Sequence, residues 1–517
     1  MNLYLDLNFR EAFSTENFFF GVANAPYLCE GGYNTEGGPK NSFGYFEAEG
    51  KVPASGETTR FWTEFEAHIA LAAGMGLNAF RMGVEWARVQ PTTDLAAGPA
   101  PAWDEDALDH YASILATVYG YGMEPVLTLH HFTYPAWLGR EFWLEDDSAD
   151  RAVAYELRVI EALNRRLVAG GHPPVRHLIT FNELNLTPPK VLTGTLRHAS
   201  NADAPLDQYD AVYDNITSAH IRVYDGIKGM YAANDWGSSL VGFGSATQAP
   251  YELDKMILDL VRVRSEHIER SEVRSHLARG RAKWTARLSS LAMRQLTDEQ
   301  FEAFDDELVV VRDAVDPMSW TKTLDALYAS PLPHKIDYIS ANVYEPFRTG
   351  RSAGDAANAP RWWEFAADGD IYRTLILAYN DGNRSLPMFM GENSLAYELP
   401  LGGSAVSRSD GWNRERYLKT YLMEVVRCIA EGVPIRGYLY WSLVDDFEWD
   451  AGFTPRLGLF NYDYEAHSIR DTDGLGEPAG DIFAHLIASL RSGNKPEIQQ
   501  AFTQVYRQSA EPRLDHQ

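Results

Sequence analysis

Residues 61–84 read FWTEFEAHIALAAGMGLNAFRMGV, one amphipathic stretch followed by one extended apolar stretch. From Phe61 to Met75 the apolar residues recur near helical spacing, and Gly74 and Gly76 stand where such a helix would stop. Leu77 to Val84 then reads as a strand. The alternation continues on both sides. Upstream, Phe18 to Ala23 is a short apolar run. Downstream, helical spacing at Ala107–Tyr121 precedes a strand at Glu124–Leu129, and Ala149–Val168 precedes Val175–Phe181. Tyr209–Tyr231 precedes Ser239–Gly244, and after an interruption Ile336–Asn342, Pro387–Met390 and Ile435–Trp441 are strand-like. Helical stretches near Ile371–Tyr379, Trp412–Glu431 and Gly480–Arg491 complete the pattern. Eight strands separated by helices imply a parallel sheet, and at this length its commonest closure is a single (β/α)8 TIM barrel. In such a barrel the chemistry sits at the C-terminal ends of the strands.

Composition agrees with one large α/β unit spanning 1–517. Hydrophobic residues make up 45% and charged residues 23% of 517 residues, which is near globular norms. The net charge of −26 opposes binding to nucleic acid or to an anionic membrane, because phosphates would be repelled. Only two cysteines occur, Cys29 and Cys428, so neither a disulfide framework nor a cysteine metal site is expected. The N-terminal MNLYLDLNFREAF lacks a basic segment followed by a long apolar run, and no stretch reaches the roughly 18 apolar residues of a membrane span. A reducing cytoplasm is the simplest location. Residues 249–332 separate the fifth and sixth strands by more than a minimal barrel requires. This Arg-rich stretch is expected to form a helical insertion of surface helices whose arginines pair with nearby acidic residues.

Polar residues gather at the expected strand ends. The fourth strand closes on Asn182-Glu183, the seventh on Glu392, the third on His130-His131 and the sixth on Asn342-Val343-Tyr344. The second carries Arg81, and the eighth ends at Trp441. Two opposed carboxylates on separate strands are what glycoside hydrolysis requires. One must hold a proton for the leaving oxygen, and the other must be ionised. A cation such as Arg81 beside a carboxylate favours its ionised form, and Trp441 and Trp449 offer flat faces for a sugar ring. Consecutive strand residues face opposite sides, so His130-His131 does not read as a metal site, and His130 is expected to be structural.

Six segments carry a resemblance to glycoside hydrolase family 1, the β-glucosidase and β-galactosidase group, from about Phe18 to Tyr464. They are FFFGVANAPYLCEGG, AGMGLNAFRMGVEWARVQP, GMEPVLTLHHFTYPAWL, ITFNEL, PMFMGENS and GYLYWSLVDDFEWDAGFTPRLGLFNYDY, in that order. The resemblance implies a barrel that hydrolyses β-linked sugars with retention and without a cofactor or metal. It implies Glu183 as acid/base and Glu392 as nucleophile. Asn182 would bind the sugar 2-hydroxyl, Arg81 and Tyr344 would flank Glu392, and Asn342 would support the site. His131, Glu448 and Trp449 would bind hydroxyls at the far side of the ring, over a floor formed by Trp441. The partner expected is a small-molecule or oligosaccharide β-glycoside, and a homo-oligomer is compatible with the sequence. The same residues would serve a transglycosidase, or a sugar-binding homologue with weak turnover. Five positions depart from the pattern. Leu28 stands for a Gln, Phe132 for a Trp, Leu184 for a Pro, Gly391 for a Thr and Ser394 for a Gly. Leu28 and Phe132 imply a more apolar pocket wall and an altered sugar preference. Retention of Glu448-Trp449 speaks against a 6-phosphoglycoside substrate.

Overall fold

The computed structural model describes residues 6–194, 208–248, 250–295, 315–344, 363 and 367–506. Eight parallel strands run in chain order: β1 (Phe19–Ala23), β2 (Ala79–Gly83), β3 (Glu124–His130), β4 (His177–Phe181), β5 (Leu240–Gly242 and Gly244–Ala246), β6 (Ile339–Asn342), β7 (Met388–Glu392) and β8 (Ile435–Trp441). Each is followed by a helix, α1 (Phe61–Gly74), α2 (Glu105–Gly120), α3 (Ser148–Ala169), α4 (Tyr209–Asn234), α5 (Thr321–Ala329), α6 (Gly369–Asn380), α7 (Arg414–Ala430) and α8 (Ala479–Ser492). The first strand pairs with both the second and the last, from Phe19↔Gly437 to Ala23↔Trp441 on one side. The sheet is thereby wound into the barrel that the alternation implies. Its strands are buried on both faces, which explains why they read as apolar runs rather than as alternating patterns.

The ring is interrupted only within β5. Its first half bonds β4 and its second half bonds β6, with Phe243 between them. The sequence reading expected one strand from Ser239 to Gly244. The break follows from two glycines that let neighbouring chain approach closely. A Cβ on Gly242 would lie 2.9 Å from the Tyr338 carbonyl oxygen, and one on Gly244 would lie 2.9 Å from both Asn182 Oδ1 and Glu183 N. The second glycine therefore makes room for the residues on which the site depends.

Strands β2, β4 and β6 begin two or three residues later than their apolar runs suggest, and at β4 a side chain takes over a backbone hydrogen bond. The Val175 amide donates to Asn164 Oδ1 on α3 (2.9 Å) instead of joining β4. Ahead of β6, the Asp337 amide still donates to the Val241 carbonyl of β5 (2.8 Å), while its carboxylate accepts the Val241 amide (2.8 Å) and pairs with Lys228 (2.6 Å). In contrast β7 runs on past Met390 to Glu392, so that this carboxylate is the last residue of its strand. Helix starts are set by short polar caps. Asp104 accepts from Ala107 N (2.9 Å), Asp368 from Asp370 N (2.7 Å) and Asn413 from Arg416 N (3.0 Å).

Between β5 and α5 the described chain forms helices at Tyr251–Asp254, Met256–Arg262 and Val273–Gln295. Its arginines meet acidic partners: Arg262 with Glu266 (2.6 Å), Arg281 with Glu252 (2.5 Å) and Arg270 with Asp325 (2.7 Å). The remainder of the expected insertion, 249 and 296–314, lies outside the described residues. Both cysteines are buried and free. Among the described residues no helix is long and apolar enough to cross a membrane.

Candidate active site

Nine of the ten residues singled out by sequence lie at or beyond the C-terminal ends of strands, and Arg81 lies in the middle of its strand. Arg81 is on β2, His131 follows β3, and Asn182-Glu183 follow β4. Asn342 ends β6 with Tyr344 two residues on, Glu392 ends β7 and Trp441 ends β8. Glu448 and Trp449 sit in the loop after β8. At three of the positions lining this mouth the backbone enters the left-handed region: Phe132 (φ 67°), Glu183 (φ 43°) and Trp449 (φ 44°). A non-glycine residue there costs about 1–3 kcal/mol, and the turn it makes swings the chain off the end of its strand.

Arg81 is the hub. It is fully buried, and its Nη1 meets Glu392 Oε1 at 2.8 Å and the Gly391 carbonyl at 3.0 Å. Its Nη2 donates to Asn182 Oδ1 (2.6 Å) and its Nε to Thr128 Oγ1 (3.1 Å). A buried guanidinium whose fork is this well used is a rigid point charge. Asn182 Oδ1 also accepts from Asn342 Nδ2 (3.1 Å), so its Nδ2 faces His131 Nε2 (2.9 Å). Asn342 Nδ2 reaches Glu183 Oε1 as well (3.0 Å), and the Tyr344 hydroxyl donates to Glu392 Oε2 (3.2 Å). Arg81, Asn182, Asn342 and Tyr344 thus join the two carboxylates in one connected network.

The carboxylates are not equivalent. Burial and then the neighbouring Glu392 raise the Glu183 carboxyl to about 8. Among the described residues it has no ion-pair partner, and its one side-chain hydrogen bond comes from Asn342. Burial also raises Glu392, but there Arg81, Tyr344 and Asn342 all oppose the rise. A proton shared by the pair is therefore favoured on Glu183, and Arg81 favours the ionised form of Glu392. Burial, aided by the Arg81 charge, holds the His131 imidazole neutral. Since its Nε2 faces the Asn182 amide donor, its remaining proton belongs on Nδ1.

The far wall is aromatic. The Trp449 ring lies 6.0 Å from His131, 5.3 Å from Phe132, 5.0 Å from Phe43 and 5.6 Å from Tyr27, and Trp441 lies 5.9 Å from His131. Leu28, on a short helix after β1, is fully buried in the same cluster. His130 points the other way, against Trp143 (5.5 Å) and Phe181 (5.3 Å), as expected of a structural residue.

One residue escaped the sequence reading. Lys190, in the short helix Thr187–Thr193 after β4, is fully buried with its Nζ 4.1 Å from the Trp449 ring centre and 5.6 Å from that of Phe132. The wall that Leu28 and Phe132 were expected to make apolar therefore contains a cation. The available signal was a lysine placed inside the otherwise apolar LTPPKVL, seven residues after Glu183.

Among the buried side-chain atoms around this mouth that have no hydrogen-bond partner among the described residues are His131 Nδ1, Asn342 Oδ1, Lys190 Nζ and Glu448 Oε2. Buried polar atoms are rarely left so. Donors and acceptors are both represented, which is the complement of a polyhydroxylated ligand.

Comparison with known proteins agrees with this geometry. The chain is 26% identical over 483 residues to a bifunctional β-D-glucosidase/β-D-fucosidase of Bifidobacterium breve, covering 87% of this chain and 94% of that protein. It is 26% identical over 462 residues to a β-galactosidase of Sulfolobus acidocaldarius, covering 80% and 82%. The fold matches that of the β-glucosidase from Thermotoga maritima in complex with a methoxycarbonyl-substituted glucoimidazole, with a TM-score of 0.65, 19% identity and coverage of 92% and 98%. Residues 10–474 match the sequence profile of glycosyl hydrolase family 1, and the chain belongs to that family.

Proposed function

We propose that this O-glycosyl hydrolase cleaves the β-glycosidic bond of a small or oligomeric glycoside by double displacement, with Glu392 as nucleophile and Glu183 as acid/base. In the first step a Glu392 oxygen bonds to the anomeric carbon while the bond to the leaving oxygen breaks and Glu183 gives that oxygen its proton. In the second, Glu183 takes a proton from water, the water oxygen bonds to the anomeric carbon and the Glu392 ester breaks. Both proton and electron pair come from the protein, so the chemistry so written needs no cofactor. The asymmetry of charge around the pair carries the assignment: Arg81 contacts Glu392 at 2.8 Å, while Glu183 has no ion-pair partner among the described residues and is raised to about 8.

Proton NMR of the hydrolysis of an aryl β-glucoside tests the reading, and the β-anomer of the free sugar is expected first. Glu392→Ala abolishes turnover of every glycoside. Glu183→Ala mainly slows glycosides with poor leaving groups, and azide restores turnover of an activated aryl glycoside as the glycosyl azide. First appearance of the α-anomer would overturn the mechanism, and absence of azide rescue would remove the acid/base role from Glu183.

A further inference from the structure

Lys190 is the strongest unexplained group in the molecule. It is fully buried, no hydrogen bond or ion pair among the described residues takes up its ammonium, and nothing in the chemistry above uses it. Burying an unpaired ammonium is costly, and the face of Trp449 offsets only part of that. Asp450, Glu448 and Glu183 all favour its charged form, though burial brings the amine down to about 8. Glu448, on the same wall, is the second such group. It is buried with Oε2 unpartnered, burial raises its carboxyl, and Lys190 opposes that rise.

A pyranose whose anomeric carbon lies between Glu183 and Glu392 directs its opposite edge, with the 3- and 4-hydroxyls, away from the carboxylates. Against the aromatic wall of the same mouth stand His131, Trp449 and Lys190, with Glu448 near enough to Lys190 to favour its charge. We infer that Lys190 and Glu448 form a donor–acceptor clamp on the hydroxyls of that edge, and that the clamp selects an uncharged sugar. This rests on the glycosidase reading above and adds the class of sugar to it.

Two observations favour an uncharged ring over an acidic one. An unpartnered ammonium beside an unpartnered carboxylate oxygen matches a hydroxyl, which accepts from the first and donates to the second. A carboxylate or phosphate on the sugar would need donors alone, whereas the unpartnered Glu448 Oε2 offers an acceptor beside Lys190. The local charges also leave no surplus cation for an anion to meet, since Arg81 faces Glu392 and the unpaired Lys190 lies in the field of Asp450, Glu448 and Glu183. The clamp further accounts for Leu28 and Phe132, because the donor lost at those positions is supplied from the helix after β4.

The test uses Lys190→Met, which keeps length and apolar stem, and Lys190→Arg, which keeps a donor. Substrates are aryl β-glucoside, its 3-deoxy and 4-deoxy forms and aryl β-glucuronide. Wild type is expected to prefer the glucoside to at least one deoxy form by about ten- to hundredfold in kcat/KM. Lys190→Met is expected to erase that preference by losing the glucoside rate, and Lys190→Arg to restore part of it. Calorimetric binding of glucose and the matching deoxyglucose should show the same pattern without turnover. A failure of turnover would then strike the mechanism alone, and the binding data would still judge the clamp. Equal losses on glucoside and deoxyglucoside would reduce Lys190 to a packing residue and overturn the inference. A wild-type preference for the glucuronide that Lys190→Met abolishes would overturn the uncharged-sugar assignment.

Discussion

Replacing Glu183 by glutamine removes its titrating proton while preserving its shape and the bond it accepts from Asn342 Nδ2 (3.0 Å). In the folded chain burial and Glu392 raise this carboxyl to about 8, against an ordinary 4.5. Between those values the folded chain keeps the proton and the unfolded chain has lost it. The unfolded state binds fewer protons, so this group's contribution to stability falls as pH rises. It is fully present below the unfolded value and gone above the folded one. Glutamine has nothing to titrate. The variant should therefore match wild type closely near pH 5 and exceed it near pH 8. Each pH unit in the window is worth at most about 1.4 kcal/mol. Because Glu392 and Glu183 influence each other's proton, the gain at pH 8 is of the order of 2–4 kcal/mol. Urea midpoints at pH 5, 6.5 and 8, with the slope held common, read this directly. Turnover of poor-leaving-group substrates should fall by roughly 10²–10⁴-fold in the same variant. A stability difference independent of pH would refute the claim that Glu183 carries the proton in the fold.

Arg81→Met breaks a buried ion pair from one side, which destabilises by about 3–5 kcal/mol, and frees Glu392 from the cation that opposes its burial. The acidic limb of kcat/KM should move to higher pH, and Arg81→Lys, which keeps the charge, should hold it near wild type; an unmoved limb in Arg81→Met contradicts the nucleophile's pairing. Gly391→Ala would drive a Cβ into Ser340 Oγ and to 2.8 Å from Asn342 Oδ1. Overpacking of this kind costs about 1–3 kcal/mol, and thermal melts should show it together with a lowered kcat, since Asn342 also holds Glu183.

The barrel was legible because each strand is buried on both faces and each helix on one, so the two kinds of segment carry different periods. The apolar run from Ile435 to Trp441 coincides with the whole of the eighth strand. Differences between pattern and structure gather at strand starts and within β5. Asn164 on α3 taking the Val175 amide leaves no local mark, because the two lie 11 residues apart on different elements. The split of β5 had the same origin. Gly242 and Gly244 were visible, but the chain they admit, at Tyr338 and at Asn182-Glu183, comes from other strands.

The site followed a similar rule, with one instructive exception. Residues at strand ends could be gathered from sequence because a parallel barrel brings every strand's C-terminus to one mouth, and Arg81, Asn182, Asn342, Tyr344 and the two glutamates do meet there. Lys190 obeys no such rule. It reaches the mouth from a short helix beyond β4, and only the fold sets it against Trp449 from the loop after β8. Judged from Leu28 and Phe132 alone, the pocket had lost its polar wall. The structure returns a charge to that wall from a different element, so substitutions at one position cannot be read as lost function until what the neighbouring elements contribute is known. On the inference that Lys190 serves the sugar's far edge, recognition is redistributed around the pair of carboxylates, and the residue that does so shows only in three dimensions.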